Sequence, residues 1–254
     1  MKKRHLQQSS LFLCALLLIC ICIGAFSSLK PAAPPAAVPA GAETGGQPTV
    51  YLTFDDGPSK VTGDILDYLA EEEVPATFFV IGIDTDRGKT LLRRMVQEGH
   101  AVGLHTYSHV YSEIYASPDA FFADQDKLRD YLKEVIGYSP AIFRFPGGSN
   151  NYTAEGWVLD GICAEAQKEG LVWFDWNAVA EDSGSTAAPP GEMAENIIQS
   201  GGDKERIIIL MHDNSIRTTA VDCLRIIIPY YKEKGYQFKT LTPATEPIQF
   251  NKAE

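Results

Sequence analysis

The sequence predicts an α/β domain, a distorted (β/α) barrel of about seven strand–helix units. Three observations carry this. Between Thr49 and Pro247 short apolar runs alternate with amphipathic stretches, the pattern of parallel strands joined by crossover helices. Roughly 200 residues of such alternation suit one domain with a full-sized core. Polar clusters also recur at the carboxyl ends of the strand-like runs, where β/α barrels carry their chemistry.

The elements follow in order. Val50–Phe54 (VYLTF) is a short apolar run cut off by Asp55-Asp56-Gly57-Pro58, and reads as the first buried strand. A helix-like stretch near Gly63–Glu73 leads to the second strand, Ala76–Ile81. Thr90–Glu98 is helix-like, and Ala101–Leu104 (AVGL) is the third strand, ending at His105. Pro118–Val135 opens with proline, which a first helical turn tolerates. Ile142–Phe145 is the fourth strand, Thr153–Lys168 the next helix, and Leu171–Trp176 (LVWFDW) the fifth strand. Glu192–Gln199 is helix-like, Ile207–Met211 (IIILM) is the sixth strand, Thr219–Lys234 the last helix and Gln237–Lys239 the seventh strand. Seven such units point to a closed or nearly closed barrel rather than an open sheet.

The ends read differently. Residues 1–8 are a basic tail with Lys2, Lys3, Arg4 and His5. Residues 9–29 contain the charge-free run Leu11–Phe26, which its flanking serines bring near the roughly 20 residues of a membrane span. The positive flank is expected in the cytoplasm, with everything after Lys30 outside. No clean small-x-small cleavage site follows, and isoleucine precedes Cys20 and Cys22 where lipid attachment wants a small residue. An uncleaved signal anchor in the cell membrane is the reading; a cleaved signal peptide and secretion is the alternative. Residues 30–48, rich in proline and alanine, form an extracytoplasmic tether. The domain spans 49–247, and 248–254 is a C-terminal tail.

The net charge is −11, and the first 30 residues hold four of the 22 Lys and Arg but none of the 33 acids. So acidic an exterior domain argues against nucleic acid as a partner. Cys163 and Cys223 in the domain read as buried free thiols, with a disulfide between them as the alternative.

Two clusters carry metal-type ligands: Thr53-Phe54-Asp55-Asp56-Gly57-Pro58 and His105-Thr106-Tyr107-Ser108-His109. Adjacent carboxylates at a strand end can divide into one ligand and one base. Histidines four apart on one helical turn can share a cation. One Asp and two His leave a divalent metal with open positions, as hydrolytic chemistry requires. Three further clusters fall at strand ends: Arg144 in FRFPGG, Asp175 in LVWFDW, and His212 in LMHD. His100, which precedes its strand, reads as structural.

The ordered set TFDDGP, HTYSH, RFPGG and LMHD resembles the polysaccharide deacetylase family, also called carbohydrate esterase family 4 or the NodB homology domain. The resemblance covers roughly Thr49 to Leu241. It implies Asp55 as general base, Asp56, His105 and His109 as metal ligands, and Thr106 as a residue that bonds the loop. It implies that Arg144 holds the base in its charged form. The backbone amide of Gly147 helps bind the oxyanion, His212 is the general acid and Leu210 lines the pocket for the acetyl methyl. The implied cofactor is a divalent metal, Zn²⁺ first and Co²⁺ or others as alternatives. The implied partner is a glycan, cell-wall peptidoglycan or a chitooligosaccharide, with the membrane engaged only through the N-terminal segment.

Two departures stand out. Family members often carry an aromatic residue where Gly147 stands, so a wider groove is expected. The usual Asp-x-x-Asp-Trp of the fourth motif is replaced by Asp175-Trp176-Asn177-Ala178-Val179-Ala180-Glu181-Asp182-Ser183. Asp175 or Asp182 is then the candidate partner of His212, Asn177 a substitute, and Trp176 the only candidate for the missing groove wall. The expected reaction is removal of N-acetyl groups from N-acetylhexosamine units, with release of acetate. An O-acetyl esterase on a glycan such as xylan, and a non-catalytic wall-binding protein, are the rivals.

Overall fold

In the computed structural model the described residues are 46–183, 188–214 and 219–251. The basic tail, the anchor and most of the tether lie outside them. Among the described residues no helix is long and apolar enough to cross a membrane.

Strand β1 (Thr49–Asp55) is the centre of the sheet and is buried along its whole length. It pairs in parallel with β2 (Thr77–Val80) on one side and β7 (Arg206–His212) on the other. The ladder continues outward through β3 (Ala101–Leu104), β4 (Ile142–Phe143) and β5 (Val172–Trp173), and from β7 to β6 (Ala178–Val179). Strand β8 (Gln237–Phe238) adds to the start of β1. Every pairing is parallel, so every strand sends its carboxyl end to the same side.

Helices cover the outside: α1 (Thr62–Glu71), α2 (Asp86–Gln97), the short α3 (Tyr111–Ile114), α4 (Pro118–Ile136), α5 (Gly156–Glu169), α6 (Pro190–Gly201) and α7 (Thr219–Glu233). Alternation along β1 sorts the core. Val50, Leu52 and Phe54 face the helices and join the main hydrophobic cluster. Tyr51 faces inward and packs with Phe79, Ile142, Phe174, Ile208 and Leu241 in a second, interior cluster. Thr53 and Asp55 continue that inward face, so the same alternation delivers a carboxylate to the barrel mouth. Gly103 makes room inside: a Cβ there would lie 2.6 Å from the Phe79 ring.

The sheet is a nearly closed, distorted barrel, as expected, and carries one strand, Ala178–Val179, that was not expected. No ladder joins β5 to β6 among the described residues, so it stays open there. The expected strand Leu171–Trp176 is only Val172–Trp173, because Phe174 and Asp175 turn inward and Asn177 pairs with β7 instead. Helix α2 starts earlier than expected, because Thr85 caps it by accepting from Gly88 N. Helix α5 starts later, because Asn151 Oδ1 accepts Thr153 N and Ala154 N and holds those residues in a turn. Residues 248–251, assigned to a tail, are bonded to the domain: Asp175 N donates to Ile248 O, and Phe250 N to Asp175 Oδ2. Cys163 and Cys223 are buried free thiols. His100 is structural, its Nδ1 accepting from Ala76 N.

Candidate active site

The β1–β7 register sets Asp55 opposite His212, so the two strand ends present a carboxylate and an imidazole across one mouth. The chain turns sharply after Asp55. Asp56 has φ 72°, and Gly57–Pro58 is a cis peptide. Asp213 holds this turn: its carboxylate accepts Ser59 Oγ at 2.7 Å and Thr62 Oγ1 at 2.5 Å. A Cβ on Gly57 would run into that carboxylate at 2.2 Å, so only glycine fits. Burial pushes Asp213 up to about 6.

His105 and His109 converge on Asp56, but not from a helical turn as the spacing suggested. Residues 105–110 form a loop, with Thr106 at φ 70° and His109 at φ 54°. Three non-glycine residues in the left-handed region thus sit within the two ligand clusters, strain of the kind that marks functional sites. The loop is tied by Asp124 of α4, whose carboxylate accepts the amides of Tyr107 and Ser108. Thr106 does not bond the loop as expected, since its buried Oγ1 finds no partner among the described residues.

The ligand atoms suit a cation. His105 Nδ1 lies 2.9 Å from Arg144 O, an oxygen that only accepts, so the proton sits on Nδ1 and Nε2 keeps its lone pair. Asp56 Oδ1 lies 3.4 Å from His105 Nε2 and 3.3 Å from His109 Nε2. Bonds of about 2.0–2.1 Å in tetrahedral geometry separate ligands by about 3.3 Å. Asn214 Nδ2 fixes the other Asp56 oxygen at 2.7 Å. Burial opposes charge on Asp56, but the His105 hydrogen bond and the nearby imidazoles outweigh it and hold this carboxyl far below the usual range. Burial and then His105 push His109 down, toward the neutral form that binds metal.

Arg144 is fully buried and uses its whole guanidinium. Nη1 donates to Asp55 Oδ1 at 2.9 Å and to Thr53 Oγ1 at 2.7 Å, Nε to Phe174 O at 2.8 Å, and Nη2 to Asp175 O at 3.2 Å. It also stacks over Phe79, 4.4 Å from the ring centroid. This fork fixes one carboxylate oxygen of Asp55 and leaves the other, Oδ2, 3.7 Å from His105 Nε2.

The partner of His212 is Asp182. Its Oδ1 lies 2.7 Å from His212 Nδ1, and its Oδ2 accepts His212 N at 2.8 Å. Burial alone would lower His212, but Asp182, then Asp55 and Asp56, raise it to about 9. Asp175 is elsewhere: it accepts Ser149 N, Ser149 Oγ and Phe250 N, tying the 147–149 turn to the C-terminal segment. Asn177 bonds Arg206 O and Ile208 N along β7 and does not substitute. Trp176 lies beneath Gly148 and against Phe250, so it does not stand beside Asp182 in place of the missing tryptophan. Leu210 lies two residues before His212, on the same strand face and nearly buried.

Gly147 has φ 78°, a conformation open to glycine. A Cβ there would meet Tyr111 Oη at 3.1 Å. Tyr111 lies between that turn and His109, its ring centroid 5.4 Å from the imidazole; burial, and then the charges of Asp56 and Asp55, raise its pKa. Tyr111, Asp124 and Asp213 were not legible as site residues. Asp213 stands inside LMHD and Tyr111 two residues after HTYSH, but neither motif shows their role, and Asp124 carried no signal.

A family model described as polysaccharide deacetylase matches residues 42–158. A putative polysaccharide deacetylase of Bacillus subtilis, YheN, is 33% identical over 207 residues, 80% of this chain and 70% of that protein. The catalytic domain of peptidoglycan N-acetylglucosamine deacetylase from Eubacterium rectale superposes with a TM-score of 0.77 at 31% identity, covering 87% of this chain and 99% of that one. A family 4 acetyl xylan esterase from Clostridium thermocellum, in complex with a cobalt ion, superposes with a TM-score of 0.64 at 30% identity, covering 79% and 96%.

Proposed function

This chain belongs to the polysaccharide deacetylase family, and we propose that it is a metal-dependent hydrolase removing the acetyl group from N-acetylhexosamine units of a glycan, with cell-wall peptidoglycan as the substrate. One observation carries the reading. Asp55 and His212 face each other across the Asp56–His105–His109 cluster, the first held by an arginine and the second by a carboxylate. That is a candidate base and a candidate acid, each oriented by its own partner, with Asp182 favouring the protonated form of His212.

A divalent cation held by Asp56, His105 and His109, zinc by the donor set, supplies Lewis-acid polarisation of the acetamide carbonyl and the attacking water. Asp55 takes the water proton as the water oxygen bonds to the acyl carbon. Arg144 keeps that carboxylate oriented. The Gly147 amide donates to the acyl oxygen as it gains charge. His212, bound to Asp182 through Nδ1, gives the Nε2 proton to the amine nitrogen as the C–N bond breaks. Leu210 packs beneath the acetyl methyl. The products are acetate and a glycan with a free amino group. An N-terminal anchor with the domain outside the membrane places the enzyme against the wall; the basic flank and apolar run of residues 1–29 support this.

Removal of an O-acetyl ester, as on xylan, passes through the same kind of oxyanion, and the Clostridium thermocellum neighbour is a xylan esterase. Acetate release from chitopentaose, peptidoglycan and acetylated xylan by the zinc-loaded chain distinguishes the two. We expect release from the first two, lost with chelator and reduced about 10³-fold in Asp55→Asn. Release from xylan alone would assign the esterase, and wild-type rates in Asp55→Asn would overturn the base.

A further inference from the structure

The turn at Gly147 and the loop after His109 meet at Tyr111. The Tyr111 ring stands edge-on to His109, with centroids 5.4 Å apart and planes at 88°. Its other neighbour is Tyr115, 5.7 Å away, whose hydroxyl donates to Pro146 O at 2.7 Å. The two tyrosines therefore bridge the histidine loop and the turn that carries Gly147. A Cβ on Gly147 would lie 3.1 Å from Tyr111 Oη and 3.3 Å from its Cε1, so the phenol fills the space a side chain at 147 would enter. The hydroxyl makes no hydrogen bond with any described residue, and Tyr111 is only half-buried. It is a donor held in place by its ring and left without a protein acceptor, between a metal-ligand histidine and the Gly147 amide.

We propose that Tyr111 is a catalytic residue that donates its hydroxyl hydrogen bond to the acyl oxygen of the bound acetyl group, beside the Gly147 amide. The inference rests on the deacetylase reading for the identity of that oxygen. It also accounts for glycine at 147: the aromatic side chain at this point of the rim comes from position 111. Two donors aimed at one oxygen stabilise it more as its charge grows, so the hydroxyl acts on turnover more than on binding.

Tyr111→Phe keeps the ring against His109 and removes only the donor. In the zinc-loaded full chain, we expect zinc stoichiometry and Tm to match wild type. Acetohydroxamate, whose carbonyl oxygen stands in for the acyl oxygen, should bind about tenfold more weakly by titration calorimetry. Acetate release from chitopentaose should lose about 10²-fold in kcat with KM nearly unchanged. Acetohydroxamate affinity equal to wild type would overturn the role of Tyr111, whatever the glycan assay gives. Weaker acetohydroxamate binding in a protein that deacetylates no glycan would keep the donor and sink the deacetylase reading instead.

Discussion

Replacing Asp182 by asparagine removes one charge and keeps the shape. In the native site Asp182 holds both His212 Nδ1 and His212 N, and both side chains are largely buried, at 16% and 6% exposure. His212 sits at about 9 because Asp182, and behind it Asp55 and Asp56, overcome the cost of burial. Moving an imidazole from its ordinary 6.5 to about 9 is worth about 3 kcal/mol in favour of the charged form. The sign follows from linkage. A raised folded-state pKa contributes stability that is fully present below the unfolded value of about 6.5, and is lost as pH rises through about 9. In Asp182→Asn the largest opposing charge is gone while the burial remains. The His212 midpoint should fall to about 7 or below, and stability at neutral pH should drop by about 2–3 kcal/mol. Above about pH 10 the two proteins should differ much less.

The assay is an NMR pH titration of the imidazole protons in metal-free protein, with His212→Asn assigning the resonance. Urea unfolding at neutral and alkaline pH gives the stability difference. Asp175→Asn is the internal control, because Asp175 bonds Ser149 and Phe250 rather than His212. A His212 midpoint in Asp182→Asn within about half a pH unit of wild type would refute the assignment. So would an equal fall in Asp175→Asn.

Two further outcomes test the supports of the site. Arg144→Lys should cost about 3 kcal/mol in urea unfolding, since an ammonium cannot reach Asp55, Thr53, Phe174 and Asp175 together; a loss below about 1 kcal/mol would contradict it. Asp124→Ala leaves the Tyr107 and Ser108 amides unheld, so zinc affinity should fall about 10–100-fold by competition with a chromophoric chelator, whereas unchanged affinity would mean the histidine loop is set without it.

Much of the machinery was readable along the chain because it is local. Asp55 and Asp56, and His105 and His109, lie within single turns at strand ends, and strand ends are visible as apolar runs that stop. Arg144 and His212 were found the same way, each next to its own strand, whereas Gly147 and Leu210 came only from the family resemblance. What stayed open or failed along the chain was the choice of partners far away in sequence, although Arg144 does reach Asp55 and one of the two offered carboxylates does reach His212. Asp175 and Asp182 both follow the fifth strand, and only the early end of β5 and the turn through Ala180 bring Asp182 to a histidine 30 residues on. Trp176 was a candidate for a groove wall, yet its partly buried ring lies against Gly148 and Phe250. Thr106, a loop-bonding residue by the family resemblance, leaves its buried hydroxyl without a partner among the described residues, and Asp124 from a distant helix does the bonding. Asp213 closes the LMHD motif without any sign of the turn it holds, and Tyr111 carried no motif at all.

The sequence by itself determined the strand–helix order, the metal-type ligands and the charged pair flanking them. These follow from residue chemistry and from periods of two and 3.6 residues, which short segments express alone. Only the tertiary structure decided which carboxylate holds His212, what braces the ligand loops, and where the sheet stays open. Those contacts join residues 16 to 154 positions apart, and closing the sheet and packing its helices sets their distances.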